Sequence, residues 1–238
     1  MIILDQLTKA SGPLFKRRHI LSRVTIQIPT NQRIALVCHT DEDKKDFIEL
    51  LAGLAKPTSG TITRLAEVSF PVGQLPGFAR DHTVRLNVAH VARLYGAEVA
   101  PTVDIVEQVM SMGKSFDRPY VDMPVKLRRP LAQAVAFALP FDLYLLTDDS
   151  LGGPGAGGKK RHRSAVPAQF LFEARAKTSG MIIPTRNLEY ARDVCDMAMV
   201  LKSGALELFK DVDEAFDAVG SRRDRRERRL RQRSKVDG

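Results

Sequence analysis

Apolar and polar positions in the first quarter of the chain follow the two-residue rhythm of strands. Residues 2–7 are a short apolar run, and residues 20–28 (ILSRVTIQI) alternate until Pro29, Thr30 and Asn31 end the pattern. Residues 34–37 (IALV) are apolar without a break, which predicts a strand covered on both faces. Phe47, Leu50, Leu51 and Leu54 then recur at helical spacing, and Gly53 with Pro57 stops that helix. Thr58-Ser59-Gly60 turns the chain into a strand at 61–63.

The middle changes period. Val84, Val88, Val91, Ala92 and Tyr95 share one helix face closed by Gly96, and Val103, Val106, Val109 and Met110 share another. Residues 131–139 (LAQAVAFAL) form an apolar helix ending at Pro140, and residues 141–146 (FDLYLL) read as a second buried strand. Helices around 170–176, 189–195 and 213–219 alternate with strands at 181–183 and 197–201, and Lys202-Ser203-Gly204 makes a turn. Strands alternating with helices predict an α/β fold with a mainly parallel sheet, into which the helical stretch at 84–139 is inserted.

With 238 residues, 44% of them hydrophobic and 27% charged, the chain has the makings of a sizeable core. No apolar run approaches the roughly 18 residues of a membrane span, and MIILDQLTKASG lacks the basic-then-apolar pattern of a secretion signal. Two isolated cysteines, Cys38 and Cys195, fit a reducing compartment and exclude a disulfide scaffold or a zinc ribbon. The net charge of +9 is concentrated at the C-terminus. Residues 221–238 carry eight arginines and Lys235 against Asp224, Glu227 and Asp237, a net +6 in a segment too polar to bury a face. Such a tail is expected to be solvated and suits an anionic membrane surface; nucleic acid is not the expected partner of an otherwise ordinary body.

In their order and spacing, several segments resemble the ATP-binding subunit of ABC transporters, in particular the branch that exports capsular polysaccharides. They are MIILDQLTKASG, VTIQIPTNQRIALV, FIELLAGLAKPTSGTI, VSFPVGQLPGF with NVAHVARLYG, AFALPFDLYLL, VCDMAMVLKSGALELF and VDEAF. The resemblance implies an ABC-type ATPase domain over residues 1–220, with a P-loop NTPase-like core sheet and a helical subdomain at about 80–140. It also implies ATP and magnesium as ligands, a membrane permease as partner, and a place on the cytoplasmic face of the inner membrane. A second ATP-binding subunit, a homologue or a copy of this chain, would complete a dimer in which each nucleotide lies between one subunit's phosphate loop and the other's signature segment.

The motifs for that chemistry are degraded. A phosphate loop requires G-x-x-x-x-G-K-[ST], whose glycines let backbone N–H groups cup the phosphates. The matching run is Cys38-His39-Thr40-Asp41-Glu42-Asp43-Lys44-Lys45, followed by Asp46, and only Lys44 fits the pattern. Lys45 stands where the magnesium-binding hydroxyl is expected, and Asp46 closes the degenerate loop. Asp41, Glu42 and Asp43 stand where a polyanion belongs. By the same resemblance Thr147 replaces the magnesium-orienting Asp, Asp148 the catalytic Glu and Arg186 the switch His. The switch Gln falls near Ala79, the signature falls at Pro124-Val125-Lys126-Leu127 without its Ser or Gly, and Ala10-Ser11-Gly12 offers no aromatic ring for adenine. A scaffold kept while every catalytic motif is lost is the expectation for a pseudo-ATPase, with no nucleotide or only weakly held ATP and magnesium.

Other features carry less. Gly153 to Lys160 nearly repeats a phosphate loop but ends in Lys, and reads as a basic glycine-rich loop, with anion binding or a second nucleotide site as alternatives. The acidic run at 41–43 lacks the pattern of a calcium loop and suits a helix N-terminus instead. Asp148 and Asp149, as neighbours at a strand end, point apart. Histidines 19, 39, 82, 90 and 162 form no ligand spacing, so no metal is expected, and Cys38 reads as a buried strand-end thiol. Two further functions stay open: a stand-alone interaction module acting through its basic tail, and an ATPase working with residual Lys44 and Asp148.

Overall fold

A computed structural model describes residues 1–12, 18–151 and 168–219. The glycine-rich loop at 153–160 and the basic tail at 221–238 lie outside the described residues. The elements run β1 (Ile2–Ser11), β2 (Arg18–Ile28), β3 (Arg33–Cys38), α1 (Asp41–Leu51), β4 (Ser59–Arg64), β5 (Val68–Val72), α2 (Val84–Leu94), α3 (Val99–Met110), α4 (Val125–Ala138), β6 (Leu143–Leu146), α5 (Gln169–Arg175), β7 (Gly180–Pro184), α6 (Leu188–Val194), β8 (Met197–Lys202), β9 (Ala205–Phe209) and α7 (Val212–Val219). They build two sheets. One is antiparallel, in the order β2-β1-β4; the other has six strands in the order β5-β6-β7-β3-β8-β9 and is parallel except for β9.

The uninterrupted apolar strands split their side chains between two cores, because successive residues of a strand point to opposite faces. Ile34, Leu36 and Cys38 of β3 join Leu143, Leu145, Ile182, Met199 and Leu201 on one face. That face packs on Phe47, Ile48, Leu50 and Leu51 of α1 and on Ile2, Leu4, Ile20 and Leu21 of the antiparallel sheet. Ala35 and Val37 join Tyr144, Ile183, Ala198 and Val200 on the other face, under the remaining helices. This second core runs without a break into Val84, Val88, Val103, Val106, Met110 and Phe116 of the helical stretch. Each such apolar side chain taken out of water contributes about 1.5–3 kcal/mol.

Two strands escape the hydrophobic pattern. β5 (VSFPV) contains Pro71 and is an edge strand paired only with β6, a setting in which a residue without an N–H is tolerated. β9 (ALELF) is the return arm of a hairpin whose two-residue loop, Ser203-Gly204, has positive φ at both positions, 52° and 83°.

Candidate functional site

The order β6-β7-β3 brings three strand C-termini side by side, the place where open α/β sheets offer a crevice. Their following segments, with the first turn of α1, enclose a cleft of about 220 Å³ lined by Leu36, Cys38, Thr40, Asp41, Lys44, Asp148, Asp149, Pro184, Thr185 and Arg186. Sites for organic ligands are commonly 300–1,000 Å³. Three of the six candidate site residues meet here: Lys44, Asp148 and Arg186.

α1 begins at Asp41, more than a turn ahead of Phe47, its first buried residue, with the acidic run 41–43 at its N-terminus as expected, and only His39 and Thr40 separate it from β3. Thr40 is the cap. Its Oγ1 accepts the Asp43 amide at 3.1 Å and donates to Asp43 Oδ2 at 2.7 Å, while the Lys44 amide bonds the Thr40 carbonyl at 3.3 Å. The extra turn is well suited to helix: three carboxylates at the positive end of the dipole, and no glycine. Thr40→Ala removes the cap and is expected to cost about 1 kcal/mol of stability, read as a lower urea midpoint at unchanged slope.

Cations from three elements close on this acidic turn. Arg18 of β2 pairs with Glu42 at 3.2 Å and Asp43 at 3.1 Å. Lys44 pairs with Asp41 at 3.0 Å. Arg186 stands 3.7 Å from Asp41 and donates to the His39 carbonyl at 3.0 Å. The Lys44 contact, helped by Arg186, holds the Asp41 carboxyl below the usual carboxylate range. Glu42 and Asp41 remain 81% and 77% exposed, so these pairs rearrange at little cost.

The acidic pair after β6 divides its attention. Asp148 accepts from Arg129 of α4 through one oxygen and from the Ser150 amide, at 2.9 Å, through the other. Asp149 accepts from the Thr185 hydroxyl at 2.6 Å. Thr147 lies outside the cleft lining, with its hydroxyl donated to the Val72 carbonyl at 3.0 Å. Lys45 and Asp46 are also outside it. Lys45 is exposed and 3.8 Å from Glu49 further along α1. Cys38 does line the cleft but is buried, and burial, reinforced by Asp43, pushes its thiol up to about 12.

The remaining motif positions are structural in their contacts. Ala79 is held by Asn87, which accepts its amide at 2.7 Å and donates to its carbonyl at 2.9 Å. Pro124 precedes α4 without a side-chain cap, and Val125 next to it is 76% exposed. Arg18, Arg129 and Thr185 carry much of the site's polar contact and have no local sequence signal, since their partners lie 19 to 36 residues away. Among the described residues, no group of His, Cys, Asp and Glu has the arrangement to hold a metal ion, and no helix is long and apolar enough to cross a membrane.

No protein-family profile matches the sequence. The chain is 30% identical over 219 residues to the polysialic acid transport ATP-binding protein KpsT of Escherichia coli, covering 91% of this chain and 97% of that protein. It is 26% identical over 221 residues to the capsule polysaccharide export ATP-binding protein CtrD of Neisseria meningitidis serogroup B, covering 93% and 99%. The fold superposes with a TM-score of 0.63 and 15% identity on a dimeric, post-hydrolysis structure of the ATP-binding cassette MJ0796 bound to ADP and Pi, covering 87% of this chain and 98% of that one. The fold is therefore that of an ABC ATPase, and with such identity over nearly the full length of both chains the protein belongs to the ABC-transporter ATP-binding proteins that include the polysialic acid and capsule export cassettes.

Proposed function

We propose that the protein is a degenerate ATP-binding subunit of a capsular polysaccharide exporter, held at the cytoplasmic face of the inner membrane by a permease and serving a structural or regulatory role without appreciable ATP hydrolysis. The observation that carries the reading is the acidic first turn of α1. The amides of Asp43 and Lys44, which in a phosphate loop would face the ligand, are bonded to Thr40. Three carboxylates stand in the same place, and two like charges 4 Å apart repel by about 1–4 kcal/mol between bulk water and a protein surface. A magnesium-bound triphosphate does not fit this arrangement: Lys45 supplies no hydroxyl, and the cleft is small.

Asp148 adds independent support. A base must come within hydrogen-bond reach of its water, and the Asp148 carboxylate, one methylene shorter than the Glu expected there, is turned to the Arg129 guanidinium through one oxygen and to the Ser150 amide through the other. An ATPase relying on Lys44 and Asp148 would have to draw Asp148 away from Arg129 and seat its phosphates among the three carboxylates beside Lys44. Residues 1–220 are proposed as the whole ATPase-like unit, with the helical stretch at about 80–140 as its second lobe. The proposed partners are the permease, a homologous or identical ATP-binding subunit, and an anionic membrane surface reached by the tail.

Calorimetric titration of the purified protein with ATP and magnesium tests this directly. No saturable heat is expected up to about 1 mM ligand, where affinities are worth only about 4 kcal/mol. A dissociation constant below 1 μM overturns the reading, since it is worth more than about 8 kcal/mol.

A further inference from the structure

Asp148 and Asp149 reach in opposite directions from adjacent positions. Besides Asp148, Arg129 also donates to the Ser150 hydroxyl at 3.3 Å, and the buried Gln133, one turn further along α4, donates to that same hydroxyl at 3.2 Å. The segment after β6 is thus gripped by two side chains on one face of α4. On the other side, Asp149 takes the hydroxyl of buried Thr185, whose amide bonds the Leu36 carbonyl of β3 at 3.1 Å. The next residue, Arg186, bonds the His39 carbonyl and faces Asp41. Polar contacts, joined through the backbone at Asp148-Asp149 and Thr185-Arg186, therefore link α4 to the N-terminus of α1.

We propose that this run is a latch. It holds α4, and with it α3 and α2 packed in series on α4, in one position against the core sheet. The inference rests on the reading of Asp148 as a structural rather than a catalytic residue. Asp148 acts as a positioning residue for α4, and Asp149 anchors the same loop to the sheet. The Arg129–Asp148 pair is half-exposed and weak alone; its bonds to neighbours of buried Gln133 and Thr185 supply geometry that a solitary surface pair lacks.

The test uses spin labels at Lys45→Cys and Lys126→Cys, two exposed positions outside the latch. The native Cys38 and Cys195 are buried, with thiols pushed up to about 12, and stay unlabelled. The latched protein is expected to give one narrow distance. R129A is expected to broaden it and to speed amide exchange across residues 125–133 by about three- to fivefold. The charge exchange R129D/D148R is expected to restore the narrow distance, which a variant that merely unfolds cannot do. Unchanged distances and exchange in R129A overturn the latch, as does a natively folded R129D/D148R protein that stays broad. A distance that shifts on adding ATP and magnesium overturns the proposed function instead, and R129A still decides the latch.

Discussion

Paired with an active homologous cassette, the protein is expected to lower ATP turnover per mixed pair by about 10²-fold or more. In the arrangement that family resemblance implies, each nucleotide lies between one subunit's phosphate loop and its partner's signature. In that arrangement this chain would bring its acidic α1 turn to one site and Pro124-Val125-Lys126-Leu127 to the other, and neither site would be whole. Loss of preorganised donors costs about 10²–10³ in rate and loss of a positioned base about 10²–10⁴. Co-expression with differently tagged subunits, tandem purification and phosphate release per purified pair provide the measurement. Turnover equal to that of pairs of the active homologue sinks the idea of an inhibitory or scaffolding subunit, because one intact site would then have survived.

The layout was largely legible in the sequence because burial on both faces leaves so plain a mark. The runs IALV and LYLL became β3 and β6, and the valine spacing at 84–110 became α2 and α3. The misses lie at the two edges of the six-stranded sheet: β5 carries Pro71, which argues against a strand, and β9 is the return arm of a tight hairpin, held by its pairing with β8. The start of α1 rested on a different signal. Periodicity reports only buried positions, and the added turn Asp41-Glu42-Asp43 buries nothing, being fixed by the Thr40 cap and the dipole. At the site, of the residues picked out by motif spacing, Lys44, Asp148 and Arg186 line one cleft, while Thr147, Lys45 and Asp46 lie outside its lining, with Thr147 bonded to the Val72 carbonyl and Lys45 beside Glu49. Motif spacing could not foresee that Arg18 and Arg129 satisfy the carboxylates, because ion pairs between distant elements obey no period.

Alkylation of Cys38 by iodoacetamide at pH 7.5 is expected to run about a thousandfold slower than that of a free thiol. The thiolate is the reacting species. A free cysteine has a pKa of about 8.5 and is roughly one-tenth thiolate at that pH. Cys38 is pushed up to about 12, first by burial and then by Asp43, against smaller opposing pulls from Lys44 and Arg186. The sign follows: a raised thiol pKa keeps the group neutral, so the rate should climb about tenfold per pH unit between 7 and 9 without levelling off. Intact-mass time courses read the modification, with the denatured chain as the free-thiol reference. The position matters because a phosphate loop opens with glycine here, leaving room for backbone N–H groups to approach a ligand. A buried, neutral thiol fills that room with a side chain. Modification at the denatured rate would mean that the wall between β3 and Asp41 opens readily, as it would have to for a nucleotide to enter, and the reading of a closed, non-hydrolysing cassette would fall with it.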